Sequence, residues 1–146
     1  MQLNESLSEL AAALKRLHDA TDALNATISN FEETLLTLDP GIVVWCEDPL
    51  RVRESSESPG FAAVSHLGFA KIDDQWGLWL RRGACMKSGQ EWVPTNPPNW
   101  KFIRLVDGSR EERAAAIAKF PMLVDAMTQE AKERLAVLNS ANKRAR

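Results

Sequence analysis

Apolar residues recur along the first forty positions at spacings of four and three in strict alternation: Leu3, Leu7, Leu10, Leu14, Leu17, Thr21, Leu24, Ile28, Phe31, Leu35 and Leu38. A seven-residue repeat held over about five heptads predicts one long helix carrying a single apolar stripe. Thr21 alone interrupts the stripe and is expected to mark a register or a helix crossing. No Gly or Pro precedes Pro40, and Asp39-Pro40-Gly41 supplies the stop. The positions beside the stripe are mostly small and neutral, with Asn4, Ala11, His18, Asn25 and Glu32 on one side and Ser6, Ala13, Ala20, Thr27 and Thr34 on the other. A free coiled coil normally places Glu and Lys there. Small residues widen the stripe, as in a helix packed on more than one neighbour.

The period then changes from helical to two. Ile42-Val43-Val44-Trp45-Cys46 predicts a strand, and residues 47–60 read as a polar loop. A hairpin follows, with arms of about Ala63 to Ile72 and Gln75 to Arg82 around Asp73-Asp74. Two-residue closure puts Leu67, Phe69, Trp76, Leu78 and Leu80 on one face, the expected core. The opposite face carries His66, Gly68, Ala70, Trp79 and Arg81. Residues 84–98 read as irregular, and Trp100 to Val106 as a last strand. Ser109-Arg110-Glu111-Glu112 is a capping box that opens a helix. Pro121 predicts a kink or fresh start, with a further helix to about Asn142 carrying Val124, Met127, Ala131, Leu135 and Leu138 at helical spacing.

These elements predict one α+β domain over residues 1–146: a long helix (1–39), a β-rich middle (41–106) and C-terminal helices (109–142). The expected architecture is a small antiparallel sheet of three to four strands packed with the helices. At 146 residues, with 45% apolar and 26% charged residues, the composition suits such a core. The net charge of −2 gives no overall bias toward nucleic acid. Its distribution is uneven, with two bases and seven acids in residues 1–40 and ten bases and six acids in residues 99–146. That asymmetry favours packing of the first helix on the last segment.

Candidate chemistry is sparse. Lys87-Ser88-Gly89 lacks the glycines of a phosphate loop, and no GxSxG or HExxH is present. Cys46, Cys85, His18 and His66 match no metal-ligand spacing. No catalytic residue, metal site or cofactor is therefore expected, and the cysteines are expected to be buried free thiols in a reducing, cytoplasmic setting. The N-terminus lacks the basic and apolar regions of a signal peptide, and no apolar run is long enough to span a membrane. The stretches 67–80 and 110–126 resemble segments of bacterial or phage proteins, without pointing to a named family.

Five tryptophans stand out: Trp45, Trp76, Trp79, Trp92 and Trp100. Trp45 and Trp76 are assigned to the core. Trp79, with small neighbours, is expected to form with Arg81 and His66 a shallow partner-binding platform, because Trp and Arg are enriched where partners bind. A helix of ~36 residues spans about 54 Å, and a C-terminal helix of roughly twenty covers about 30 Å. Part of the stripe should therefore stay uncovered, and a second copy is its expected cover, through Leu3, Leu7, Leu10, Leu14, Leu17, Leu24 and Ile28. The function expected is a non-catalytic protein-interaction module (adaptor, inhibitor or assembly subunit), a homodimer with a further protein partner. The alternative is a nucleic-acid accessory factor using Lys101, Arg104, Arg110, Arg113, Lys143, Arg144 and Arg146, a basic set interrupted by Glu111, Glu112, Glu130 and Glu133. A small enzyme relying on His66, Cys46 and Arg81 ranks third.

Overall fold

The computed structural model describes residues 2–145, so Arg146 of the basic tail lies outside the described residues. Helix α1 (Gln2–Leu38) is a single unbroken helix, as the heptads predict. It ends where Asp39 and Gly41 adopt positive φ of 48° and 62°, with the Asp39 N–H donating to the Leu36 carbonyl at 3.1 Å. The stripe along α1 divides into two parts. Every residue from 2 to 20 is exposed, whereas Ile28 and Leu35 are buried and Leu24 and Phe31 pack against the core.

All strand pairings are antiparallel: β1 (Val44–Trp45), β2 (Arg51–Glu54), β3 (Phe61–Ile72), β4 (Gln75–Ser88), β5 (Glu91–Pro94) and β6 (Lys101–Arg104). The long β3–β4 hairpin is the spine. β1 and β2 share the free side of β3, and β6 and β5 share the free side of β4. Ile72 pairs with Gln75 around Asp73 and Asp74, both at positive φ (49° and 63°), the backbone that a two-residue hairpin turn requires. The register predicted from this turn therefore holds. The sheet is larger than the three to four strands expected. β4 continues to Ser88 and is met by β5, so residues 84–94 are not an irregular stretch. β2 lies within the segment read as a loop, its Arg51-Val52-Arg53-Glu54 pairing with Ala62 to Ser65. β2 is exposed throughout, so partner backbone rather than core burial orders it, whereas the β4 extension buries Cys85 in a second small cluster with Ala62 and Val64, against which Trp92 and Trp100 pack. The predicted strand at Ile42–Cys46 is shorter than expected, and its ladder holds only Val44 and Trp45.

A 3-10 turn (Leu105–Asp107) leads into α2 (Arg110–Ala145). The capping box is formed: the Glu112 N–H donates to Ser109 Oγ at 3.1 Å, and the Ser109 N–H donates to Glu112 Oε1 at 3.0 Å. Arg82 Nε also donates to Glu112 Oε2 at 3.0 Å. Burial alone would push this carboxyl up, but the bonds from Arg82 and Ser109 outweigh it and hold the pKa at about 2. No fresh start occurs at Pro121, and α2 runs through it as one helix. Pro121 is exposed, so water can serve the carbonyl its ring leaves unbonded.

The helices touch through Arg110 and Thr21, Arg113 and Asn25, and the stacked rings of Phe120 and Phe31, 4.0 Å apart. Contacts advance in the same direction along both helices, so α1 and α2 run parallel. The first half of α1 and the last part of α2, exposed throughout 131–145, project at opposite ends. The core lies between the helices and the sheet, where Leu67, Phe69, Leu78 and Leu80 meet Ile28, Leu35, Ala116 and Leu123. Among the described residues the charge asymmetry is not expressed as ion pairs between the helices: Arg110 and Arg113 bond neutral Thr21 and Asn25, and Glu32 of α1 pairs with Arg104 of β6.

Candidate functional site

The sheet face turned away from the helices is built over two glycines. Trp45 pairs with Gly68 across β1 and β3. A Cβ on Gly68 would lie 2.2 Å from Trp45 Cε3, and one on Gly83 would lie 2.5 Å from Trp100 Cε3. Both indoles therefore lie flat on bare backbone, the aromatic cover that glycines in sheets commonly receive. Arg81 stands between them, its guanidinium 4.9 Å from the Trp45 ring centre and 4.7 Å from that of Trp100. A cation held against two indole faces gains from both ring quadrupoles. Burial depresses the Arg81 pKa from its ordinary value, against an opposing influence of Cys85.

His66 meets Trp100 edge-on at 5.7 Å, and its Nδ1 is buried without a hydrogen-bond partner. Burial first, and the Arg81 cation second, lower its pKa to about 4. Trp79 is 6% exposed. Its indole N–H donates to the Gln75 carbonyl at 3.3 Å, and Arg104 lies over its ring at 5.3 Å. Arg104 donates to Glu32 Oε1 at 2.7 Å. The other Glu32 oxygen accepts the Leu78 N–H at 2.7 Å, closing a backbone donor that β4 presents beyond the end of β6.

The platform expected from Trp79, Arg81 and His66 is thus not open. Trp79 and His66 are enclosed by their own chain, and Arg81, half-buried, is clamped. The clamp comes from Trp45, assigned to the core but half-exposed, and from Trp100, which the sequence had placed on no face. The cover on Gly68 is Trp45. No local pattern reveals this, since it depends on which strand pairs beside β3. The heptad seam is corrected in the same way: Leu24 and Ile28 are taken up by the chain's own core and are not free for an oligomer contact. Leu3, Leu7, Leu10, Leu14 and Leu17 remain exposed, between 41% and 72%.

Cys46 and Cys85 are buried and free. Burial raises both thiol pKa values, with Lys119 acting against it at Cys46 and Arg81 at Cys85. Both therefore stay protonated, and a thiol is a weak nucleophile compared with a thiolate. Of the basic residues considered for nucleic acid, Arg104, Arg110 and Arg113 are engaged within the chain by Glu32, Thr21 and Asn25. Among the described residues, no helix is long and apolar enough to cross a membrane. No protein-family model, curated protein or solved structure matches this chain.

Proposed function

We propose that the protein is a non-catalytic interaction module, of the adaptor or assembly-subunit kind, that pairs with a second copy of itself through the first half of α1. The observation that carries this reading is the row Leu3, Leu7, Leu10, Leu14 and Leu17, exposed on a helix whose next two turns are core. A contiguous apolar row of this kind is unusual on a monomer. Its 3.5-residue period is that of a helix seam. The seam and its flanks at Asn4, Ser6, Ala11, Ala13, His18 and Ala20 hold no acidic or Lys/Arg side chain, so an identical helix can approach without like-charge repulsion.

About half of each leucine remains to be covered, contributing roughly 0.8–1.5 kcal/mol apiece. Ten across a pair amount to about 8–15 kcal/mol, comparable with the about 4–15 kcal/mol cost of association. Micromolar affinity corresponds to a net of about 8 kcal/mol, which the pair reaches where the gain lies at the upper end of its range and the cost at the lower end of its own. On the sheet, Arg81 with Trp45 and Trp100 replaces Trp79 and His66 as the candidate contact for a different protein partner.

Sedimentation velocity at micromolar concentration tests the reading. The unmodified chain should sediment as a dimer. Leu7→Glu with Leu14→Glu should give a monomer with an unchanged unfolding midpoint extrapolated to low concentration. A monomer mass for the unmodified chain overturns the proposal.

A further inference from the structure

On the helix-facing side of the sheet, beyond the core, lies a cavity of about 330 Å³ between β2, β3, β4 and the start of α2. Arg51 and Arg53 alternate on β2 and so share a face. Their register partners are Ser65 and Ala63 of β3, and Ser65 in turn pairs with Arg82 of β4. Three guanidiniums and one hydroxyl therefore converge on one space. The cavity is larger than a single anion and falls at the small end of ligand pockets.

The charges in it do not balance. Glu112 is the carboxylate lining the cavity, and it is spent on Arg82 and on the Ser109 amide. Arg51 and Arg53 form no ion pair among the described residues. The α2 N-terminus adds the positive end of a 36-residue helix. A separate observation points the same way. Ser65 is 4% exposed, lines the cavity, and its Oγ has no hydrogen-bond partner. A buried hydroxyl left unbonded is destabilising, a cost that an oxyanion accepting its hydrogen bond would remove.

We propose that this cavity binds a small phosphomonoester, with Arg51 and Arg53 gripping the phosphoryl oxygens, the Ser65 hydroxyl donating to one of them, and Arg82 held in place by Glu112. Guanidinium forks match the geometry of phosphate oxygens, which a single ammonium does not. The space left over, walled by Ala63, admits a short organic substituent. This site lies on β2 and the start of α2, so it stands or falls independently of pairing through α1.

Calorimetric titration of the full chain with inorganic phosphate and with phenyl phosphate, at fixed ionic strength set by chloride, tests the proposal. Both should bind, phenyl phosphate more tightly. Arg51→Gln with Arg53→Gln should weaken binding about tenfold or more, equivalent to at least about 1.4 kcal/mol. Both arginines are exposed, so the fold should persist. Ser65→Ala removes an unbonded group, so it should leave the unfolding midpoint unchanged or slightly raised while weakening phosphate binding severalfold. Absence of heat with both probes at millimolar concentration overturns the site, as does affinity unaltered by the arginine substitutions. Salt-dependent binding of single-stranded RNA that is lost with the arginines, without phenyl phosphate binding, overturns it in favour of a nucleic-acid surface.

Discussion

Acidification should weaken the fold through a single imidazole. His66 is 8% exposed, its Nδ1 has no acceptor or donor to meet, and the cation nearest to it is Arg81. Charging it would desolvate one cation beside another, which is why its folded pKa falls to about 4 from 6.5. A base with a depressed folded pKa favours the neutral form. As pH drops through 6.5 the unfolded chain takes up a proton, and the folded chain does not until about pH 4. The stability is therefore complete above 6.5 and is lost progressively between 6.5 and about 4. At about pH 5 the unfolded state is favoured by roughly 1.5 pH units of protonation, or about 2 kcal/mol at 1.36 kcal/mol per unit. Glu112 does not interfere, because its folded pKa of about 2 against an ordinary 4.5 moves its contribution to lower pH. Guanidinium unfolding followed by tryptophan fluorescence, at about pH 7.5 and about pH 5, measures the difference. His66→Gln should flatten the slope whatever its own stability. Equal stability of the unmodified chain at both pH values refutes the reasoning, and so does a His66→Gln chain that retains the full slope.

Gly68→Ala should destabilise the fold by about 1–3 kcal/mol, as overpacking does, and shift tryptophan emission to the red. The new methyl would occupy the place of the Trp45 ring, and an unshifted spectrum would show that the indole does not lie there. Thr21→Leu should change stability by less than about 1 kcal/mol, since the helix-propensity gain is offset by losing the hydroxyl that accepts from Arg110 Nε at 3.1 Å. Thermal unfolding decides this, and a loss well beyond that range would mean the hydroxyl anchors α2 on α1.

Where short-range physics governs, the sequence by itself determined the outcome. The heptads define α1 from residue 3 to 38 because a helix stripe needs only the spacing of its own residues. Asp73-Asp74 closes a two-residue turn, and that turn dictates which of Leu67, Phe69, Leu78 and Leu80 share a face. Ser109 and Glu112 satisfy each other's amides within one helical turn. The thirds of the molecule that meet across long separations were decided only by the tertiary structure. Ile28 and Leu14 are equivalent in the repeat, yet one is core and the other solvent-facing, because where α2 begins determines how much of α1 it covers. Arg51, Arg53, Ser65 and Arg82 carry no motif and become a cluster only when β2 pairs with β3. Trp45 and Trp100 are separated by more than fifty residues, and Arg81 joins them because two glycines on neighbouring strands leave room for flat rings. Pairing partners of this kind are chosen by the energy of the whole sheet, so no local window contains them.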